Sequence, residues 1–293
     1  MPGTTAGPAI PLWALLHLTH AAIQAIADEC GADILHIKGP AVDVALRTRP
    51  RPSRDTDVIV RPAHLDRFLA ALARHGWAEL TSFAEGSSFR HASNHHHRTW
   101  AHVDVHRFFP GPTATPAAVF DALWANRHVA ELAHTACAVP GLAAQLMILG
   151  LHEARAHTGA DTFEAWQVST EATRDEAWSL ARRLGAEVPL AAAVGRLDEY
   201  RGRRDYLLWK FWSQPEGDDA AASRLAEWTA RLHAAPTLQD RIAVLIRMVR
   251  VNRTHLRMEL GHEPSGREVA AEYRHRIAAG VHALGAHRRG PAR

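Results

Sequence analysis

The chain has 293 residues, 47% hydrophobic and 22% charged, which places it among ordinary globular proteins and excludes general disorder. Its formal charge of +3 at pH 7 suits an anionic substrate and makes no strong case for nucleic acid. No apolar run nears the roughly 20 residues that cross a bilayer, and the stretch from Pro11 to His17 is too short and interrupted for a secretion signal. A cytoplasmic protein with no membrane partner is therefore expected. Cys30 and Cys137 lack paired spacing and read as buried hydrophobes, not as a disulfide or a zinc knuckle.

Met1 to Ala9, rich in Gly, Pro and Thr, reads as loose. From Leu12 to Glu29 apolar residues recur at helical spacing, and Cys30-Gly31 ends the pattern. Ile34 to Ile37 reads as a strand. Gly39 and Pro40 then mark the start of a second helix over roughly Ala41 to Leu46, since Pro is tolerated in a first helical turn. The arginine-rich segment from Arg47 to Arg54, broken by Pro50 and Pro52, reads as a loop that delivers the chain to Asp55.

The stretch Asp55-Thr56-Asp57-Val58-Ile59-Val60 is the centre of the reading. Side chains alternate along a strand, so Asp55 and Asp57 share one face while Val58 and Val60 reach the other. His102-Val103-Asp104-Val105-His106 repeats the pattern, with His102, Asp104 and His106 on one face. Three carboxylates from two strands can thus converge. Paired carboxylates of this kind suit hard cations, which take oxygen ligands. Lys38-Gly39, at the end of the first strand, forms a turn that can sit against phosphate.

Between these strands, Pro62 to His75 reads as a helix with Leu65, Phe68, Leu69 and Leu72 on one face, closed by Gly76. Trp77 to Thr81, Ser87 to His91 and His97 to Phe108 are expected as antiparallel strands. Pro110 to Pro116 breaks the pattern, and a domain boundary is expected there, giving domains at 1–115 and 116–293. Beyond Pro140-Gly141 the chain reads as helical: Leu142 to Ala156, Glu171 to Leu184, Leu190 to Tyr200, Tyr206 to Trp212, Ala221 to His233, Leu238 to Val251 and Arg267 to Ala279. Gly159, Pro189, Gly202, Pro215-Glu216-Gly217 and Pro236 separate them. The fold class is α/β (α+β): an N-terminal mixed sheet with flanking helices, followed by an α-helical domain that completes a substrate cleft.

Ile37-Lys38-Gly39, Arg54-Asp55-Thr56-Asp57, His75-Gly76-Trp77 and Val103-Asp104-Val105-His106 together resemble the uncharacterised nucleotidyltransferase family of the DNA polymerase β-like superfamily. The resemblance implies transfer of a nucleoside monophosphate from an NTP, with Mg²⁺ or Mn²⁺, to a hydroxyl or phosphate of an acceptor. It implies that Asp55, Asp57 and Asp104 bind the metals, and that Asp104 takes the acceptor's proton. Lys38, Gly39, Arg54 and His106 are the implied substrate-binding residues, with Arg47 as a supplement. The sequence departs from the superfamily at Pro40, where a Gly-Ser turn would supply a hydroxyl and an N–H. Phosphate binding would then rest on Lys38, the Gly39 amide and the helix N-terminus.

The acceptor is not written in the sequence: a small molecule, a sugar or a natural-product peptide is compatible, with nucleic acid not favoured. Two alternatives stand beside this reading: a non-catalytic NTP-binding protein of the same fold, and a toxin-like tRNA nucleotidyltransferase. Acidic pairs also open ordinary strands, where Asp is solvated or caps a turn. Agreement among the two strands and the Lys38-Gly39 turn counts against that plainer reading. The histidines from His91 to His106 do not complete a tetrahedral set, and His152 and His157 are five apart, off a common helical face, so no zinc site is expected.

Overall fold

A computed structural model describes residues 10–49, 53–85, 87, 89–156, 163–214, 220–249, 251 and 253–288. The expectations for Met1 to Ala9, Pro50 to Pro52, His157, Gly159 and Pro215 to Gly217 lie outside the described residues. The chain forms two compact units, one of residues 1–149 with 164–186, the other of residues 150–163 with 187–293. The first unit thus continues past the expected boundary at 115/116.

In the first unit, α1 (Leu12–Cys30) ends at Gly31, whose φ of 65° is the left-handed C-cap that glycine adopts without a Cβ clash. It is followed by β1 (Ile34–Ile37), β2 (Asp55–Val60), α2 (Leu65–Arg74), β3 (Ala78–Thr81), β4 (Ala92–His96) and β5 (His102–His106). The strands form one mixed sheet in the order β1-β2-β5-β4-β3. β2 and β5 pair in parallel; β1 with β2, β5 with β4, and β4 with β3 are antiparallel.

The alternation expected along β2 and β5 is realised. Val58, Val60, Val103 and Val105 are fully buried and pack with Ile23 and Ala27 of α1 and Phe68 and Leu72 of α2 in one core cluster. Leu65 and Leu69 pack on the edge of the same cluster. The opposite face of the sheet carries the carboxylates.

Three expectations need correction. The helix over Ala41 to Leu46 is replaced by two three-residue 3₁₀ turns, Gly39–Ala41 and Val44–Leu46. Lys38 and Gly39 both have positive φ, 63° and 50°, and Val42 is extended, so no continuous run of helical dihedrals is available. The strand expected at Ser87 to His91 lies later, at β4, and His97 belongs to the turn before β5. Finally, α3 (Pro116–Ala125) and the hairpin β6 (His128–Leu132) and β7 (Thr135–Val139) follow the proline-rich tract. The hairpin packs on α1 and β1. Its turn residues Ala133 and His134 have φ of 49° and 60°, a conformation usually signalled by Asn or Gly.

The remaining helices are α4 (Leu142–Glu153), α5 (Glu164–Val168), α6 (Glu171–Leu184), α7 (Glu187–Ala193), α8 (Tyr206–Ser213), α9 (Ala220–Ala234), α10 (Leu238–Val249), α11 (Arg253–Leu260) and α12 (Gly266–Arg288). α5 and α11 were not expected. Pro189, read as a separator, sits in the first turn of α7, where its missing N–H costs nothing. The helix expected over Leu190 to Tyr200 is instead α7 and a 3₁₀ turn at Leu197–Tyr200. The second unit is wholly helical in its described residues, with α9 packed against α8, α10 and α12.

Candidate active site

The site is built on the parallel pair. Asp57 of β2 stands directly opposite Asp104 of β5, and Asp55 opposite His102, so all four lie on the face away from α1 and α2. Ile59 faces His106 in the same register. On the far side of β5, Asn94 of β4 is opposite Asp104.

Asp57 is 5% exposed and is held from two sides. Lys38 Nζ donates to its Oδ1 at 2.5 Å, and His106 Nε2 donates to the same oxygen at 2.8 Å. Burial works against the charged form, but Lys38 and His106 together outweigh it and hold the carboxyl below the usual range. Asp57 is therefore a buried, ionised carboxylate with two donors. Among the described residues no hydrogen bond ends on its Oδ2, which stays available to a cation.

Asp104 behaves in the opposite way. Burial, then the Asp57 charge, push its pKa up to about 7, against the opposing pull of a hydrogen bond from Asn94 Nδ2 to Oδ1. Asp55 is raised as well, by burial first and by Asp57 second. Its Oδ1 accepts from Ser53 Oγ at 3.3 Å, and Ser53 also bonds the Asp55 carbonyl at 2.8 Å. Ser53 in turn touches the Lys38-Gly39 turn: a Cβ built on Gly39 would lie 3.2 Å from Ser53 Cβ and Oγ. At φ of 50°, Gly39 is required both by dihedral and by space.

The donor set suits a divalent cation. Ligand atoms of Asp57, Asp104 and His106 lie within 4.8 Å of one another, and among the described residues no other such group occurs. Burial first and the Asp57 charge second raise Asp55 and Asp104, and the repulsion part is what an added positive charge would relieve. His106, expected among the substrate-binding residues, is buried with its ring stacked on Phe109 at 6.0 Å and its Nε2 on Asp57.

The structure therefore brings Asp57, Asp104, His106 and Lys38 together, with Asp55 beside them and Gly39 behind Ser53. Arg54 is exposed and makes no ion pair among the described residues. A helix N-terminus beyond Gly39 is absent, because the turn is 3₁₀ and three residues long. Lys38, read as a phosphate contact, is engaged by Asp57. Ser53, Asn94 and Thr81 were not anticipated. Only the face-sharing of β4 with β5 could have pointed to Asn94, and that needs the register.

A mixed α/β sheet here gathers carboxylates on one face of a parallel strand pair, a set of ligands with the chemistry to hold a metal ion. The chain belongs to the family described as uncharacterised nucleotidyltransferase, which matches residues 16–202. No curated protein matches it. Several solved structures are similar in part, three of them as follows. The lincomycin-bound lincosamide antibiotic adenylyltransferase LnuA is 17% identical, covers 54% of this chain and 92% of its own, and has a TM-score of 0.34. The antibiotic-resistance factor ANT(2'')-Ia is 13% identical over 64% of this chain and 92% of its own, with a TM-score of 0.35. An antigenic nucleotidyltransferase-like protein from Paracoccidioides brasiliensis is 14% identical over 64% of this chain and 89% of its own, with a TM-score of 0.36.

Proposed function

We propose that the protein transfers a nucleoside monophosphate from an NTP to a hydroxyl or phosphate of an acceptor, with Mg²⁺ or Mn²⁺. The observation that carries this reading is the direct pairing of Asp57 with Asp104, with Asp55 on the same face, in a chain of a nucleotidyltransferase family. Asp55, Asp57 and Asp104 would hold the cation, and carboxylate oxygens suit either metal. When bound, such an ion neutralises the carboxylates and stabilises charge on the phosphate oxygens. Lys38 and His106 keep Asp57 ionised and fix its position, so the donor set is preorganised. Asp104 takes the proton released by the acceptor hydroxyl. Lys38, on a flexible stem and 18% exposed, can exchange Asp57 for a phosphate oxygen.

The test is isothermal titration of each NTP with Mn²⁺ into the purified chain, beside an Asp55→Asn, Asp57→Asn double variant, followed by measurement of pyrophosphate release with candidate acceptors. Metal-dependent binding that the double variant loses is the expected result. Equal binding by the variant would sink the assignment of the carboxylates.

A second reading, nucleotide binding without turnover, is favoured by one observation. The turn after β1 has Pro40 where a donor would serve phosphate, and no α-helix follows it. That reading expects NTP binding with no pyrophosphate release from any acceptor tried.

A further inference from the structure

On the carboxylate face, a polar chain runs outward from Asp104 to the edge of the sheet. Asn94 Nδ2 donates to Asp104 Oδ1, and Thr81 Oγ1 donates to Asn94 Oδ1. The two bonds together fit one amide orientation, because the Asp104 carboxylate can only accept and the Thr81 hydroxyl is then free to donate to the amide oxygen. With Thr81 as donor, the Asn94 carbonyl must face the edge and the amide must face Asp104; the flipped amide would set oxygen against carboxylate.

The strand pairing shows how Thr81 comes to stand there. β3 and β4 pair Ala78 with His96 and Glu79 with His95, and a regular ladder would then set Leu80 against Asn94. The ladder instead carries a bulge between Glu79 and Thr81, and Thr81 is Asn94's partner. Leu80, the extra residue, is 42% exposed. A bulge next to a site re-aims a side chain, and here it exchanges a leucine for a hydroxyl.

We propose that Asn94, locked by Thr81, is the positioning residue of Asp104: it holds Oδ1 by the amide and so aims Oδ2 at the cation and acceptor. This rests on the reading of Asp104 as part of the metal site. Among the described residues no hydrogen bond ends on Asp104 Oδ2, which agrees with one oxygen anchored and the other presented. Neither Asn94 nor Thr81 touches the reacting groups in this scheme. They act through Asp104.

The test uses the full chain and Mn²⁺ alone, with free Mn²⁺ followed by electron paramagnetic resonance. Asn94→Leu keeps the size and removes the donor, and should weaken Mn²⁺ binding roughly 10–100-fold, the usual range for an outer-shell partner of a metal ligand. Thr81→Val, which releases the amide to flip, should weaken it by a smaller factor, and Thr81→Ser should restore it. Melting temperatures of all three separate positioning from folding, and the Thr81 pair decides the matter if Asn94→Leu does not fold. Wild-type affinity in Asn94→Leu, or equal losses in Thr81→Val and Thr81→Ser, would overturn the inference alone. A wild type that binds no Mn²⁺ would overturn the metal-site reading beneath it, and the inference with it.

Discussion

The two faces of the five-stranded sheet solve the same problem in opposite ways. Against α1, His20 and His36 are buried with their Nδ1 atoms 2.8 Å apart. Gln24 Nε2 donates to Asp28, so its Oε1 faces His36 and accepts from His36 Nε2 at 3.1 Å. That leaves His36 Nδ1 as acceptor and His20 Nδ1 as donor, both rings neutral, with no hydrogen-bond partner for His20 Nε2 among the described residues. Burial lowers the pKa of His20 to about 4, with the Asp57 charge opposing and His17 assisting, and it lowers His36 as well. On the other face Asp57 is just as buried and remains charged, because Lys38 and His106 meet it directly. Burial alone neutralises a group; a pair of aimed donors reverses the outcome.

The contrast can be broken from either side. The largest effect is expected from Asp57→Asn, which should cut pyrophosphate release by at least ~10³-fold in a steady-state assay, the scale on which charge-stabilising groups act. His36→Gln, on the helix face, should leave that rate within about twofold, since its partners lie in the core and not among the carboxylates. Next comes Lys38→Met. It leaves a buried carboxylate short of its strongest partner, and urea unfolding at pH 7 should show a loss of roughly 3–5 kcal/mol. A loss below about 1 kcal/mol would mean that His106 alone suffices.

The helix face should reveal itself by acid. His20 is neutral in both folded and unfolded chains above pH 6.5, so it contributes no slope there. As pH falls from 6.5 to about 4 the unfolded chain takes up a proton that the folded chain refuses, and stability should drop by about 3 kcal/mol. His20→Gln should remove that share of the slope in urea midpoints measured across the window, while His36, also lowered by burial, keeps its own. Asp57 works in a separate range. Its lowered pKa gives stability that is present above the ordinary carboxylate value and is lost only as pH falls below it. The smallest effect is expected from Gly39→Ala, about 1–2 kcal/mol by thermal unfolding, because alanine must hold φ of 50° and press on Ser53.

What the amino-acid order discloses follows the same division. Period-two alternation in β2 and β5 is a local signal, so the shared face of Asp55 and Asp57, and of Asp104 and His106, was legible before any pairing was known. The strand Ile34–Ile37 and the helix Glu171–Leu184 were legible to the residue, with Gly31 and Gly185 closing helices in left-handed φ. The turn at Lys38 was misread because a proline after glycine suits a first helical turn, while the positive φ of a lysine has no sequence signature. The β6–β7 hairpin escaped because Ala133-His134 lacks the Asn or Gly that announces such a turn. Asn94 and Thr81 were hidden for a further reason: their place depends on the bulge at Leu80, and a one-residue change in register moves a side chain to the other face.

The parallel pairing of β2 with β5 also sets when the centre can exist. A parallel pair demands a long connection, and here α2, β3 and β4 all intervene in the chain. During synthesis Lys38 and Asp57 emerge first, and Asp57 waits for His106 while Asp104 waits for a sheet to join. A nascent chain that stops before β5 carries two of the three carboxylates and neither the histidine nor the second strand that orders them. The complete cluster is thus a late event, formed by contacts distant in sequence, and a truncated or half-folded chain would present no finished cluster of carboxylates and histidine.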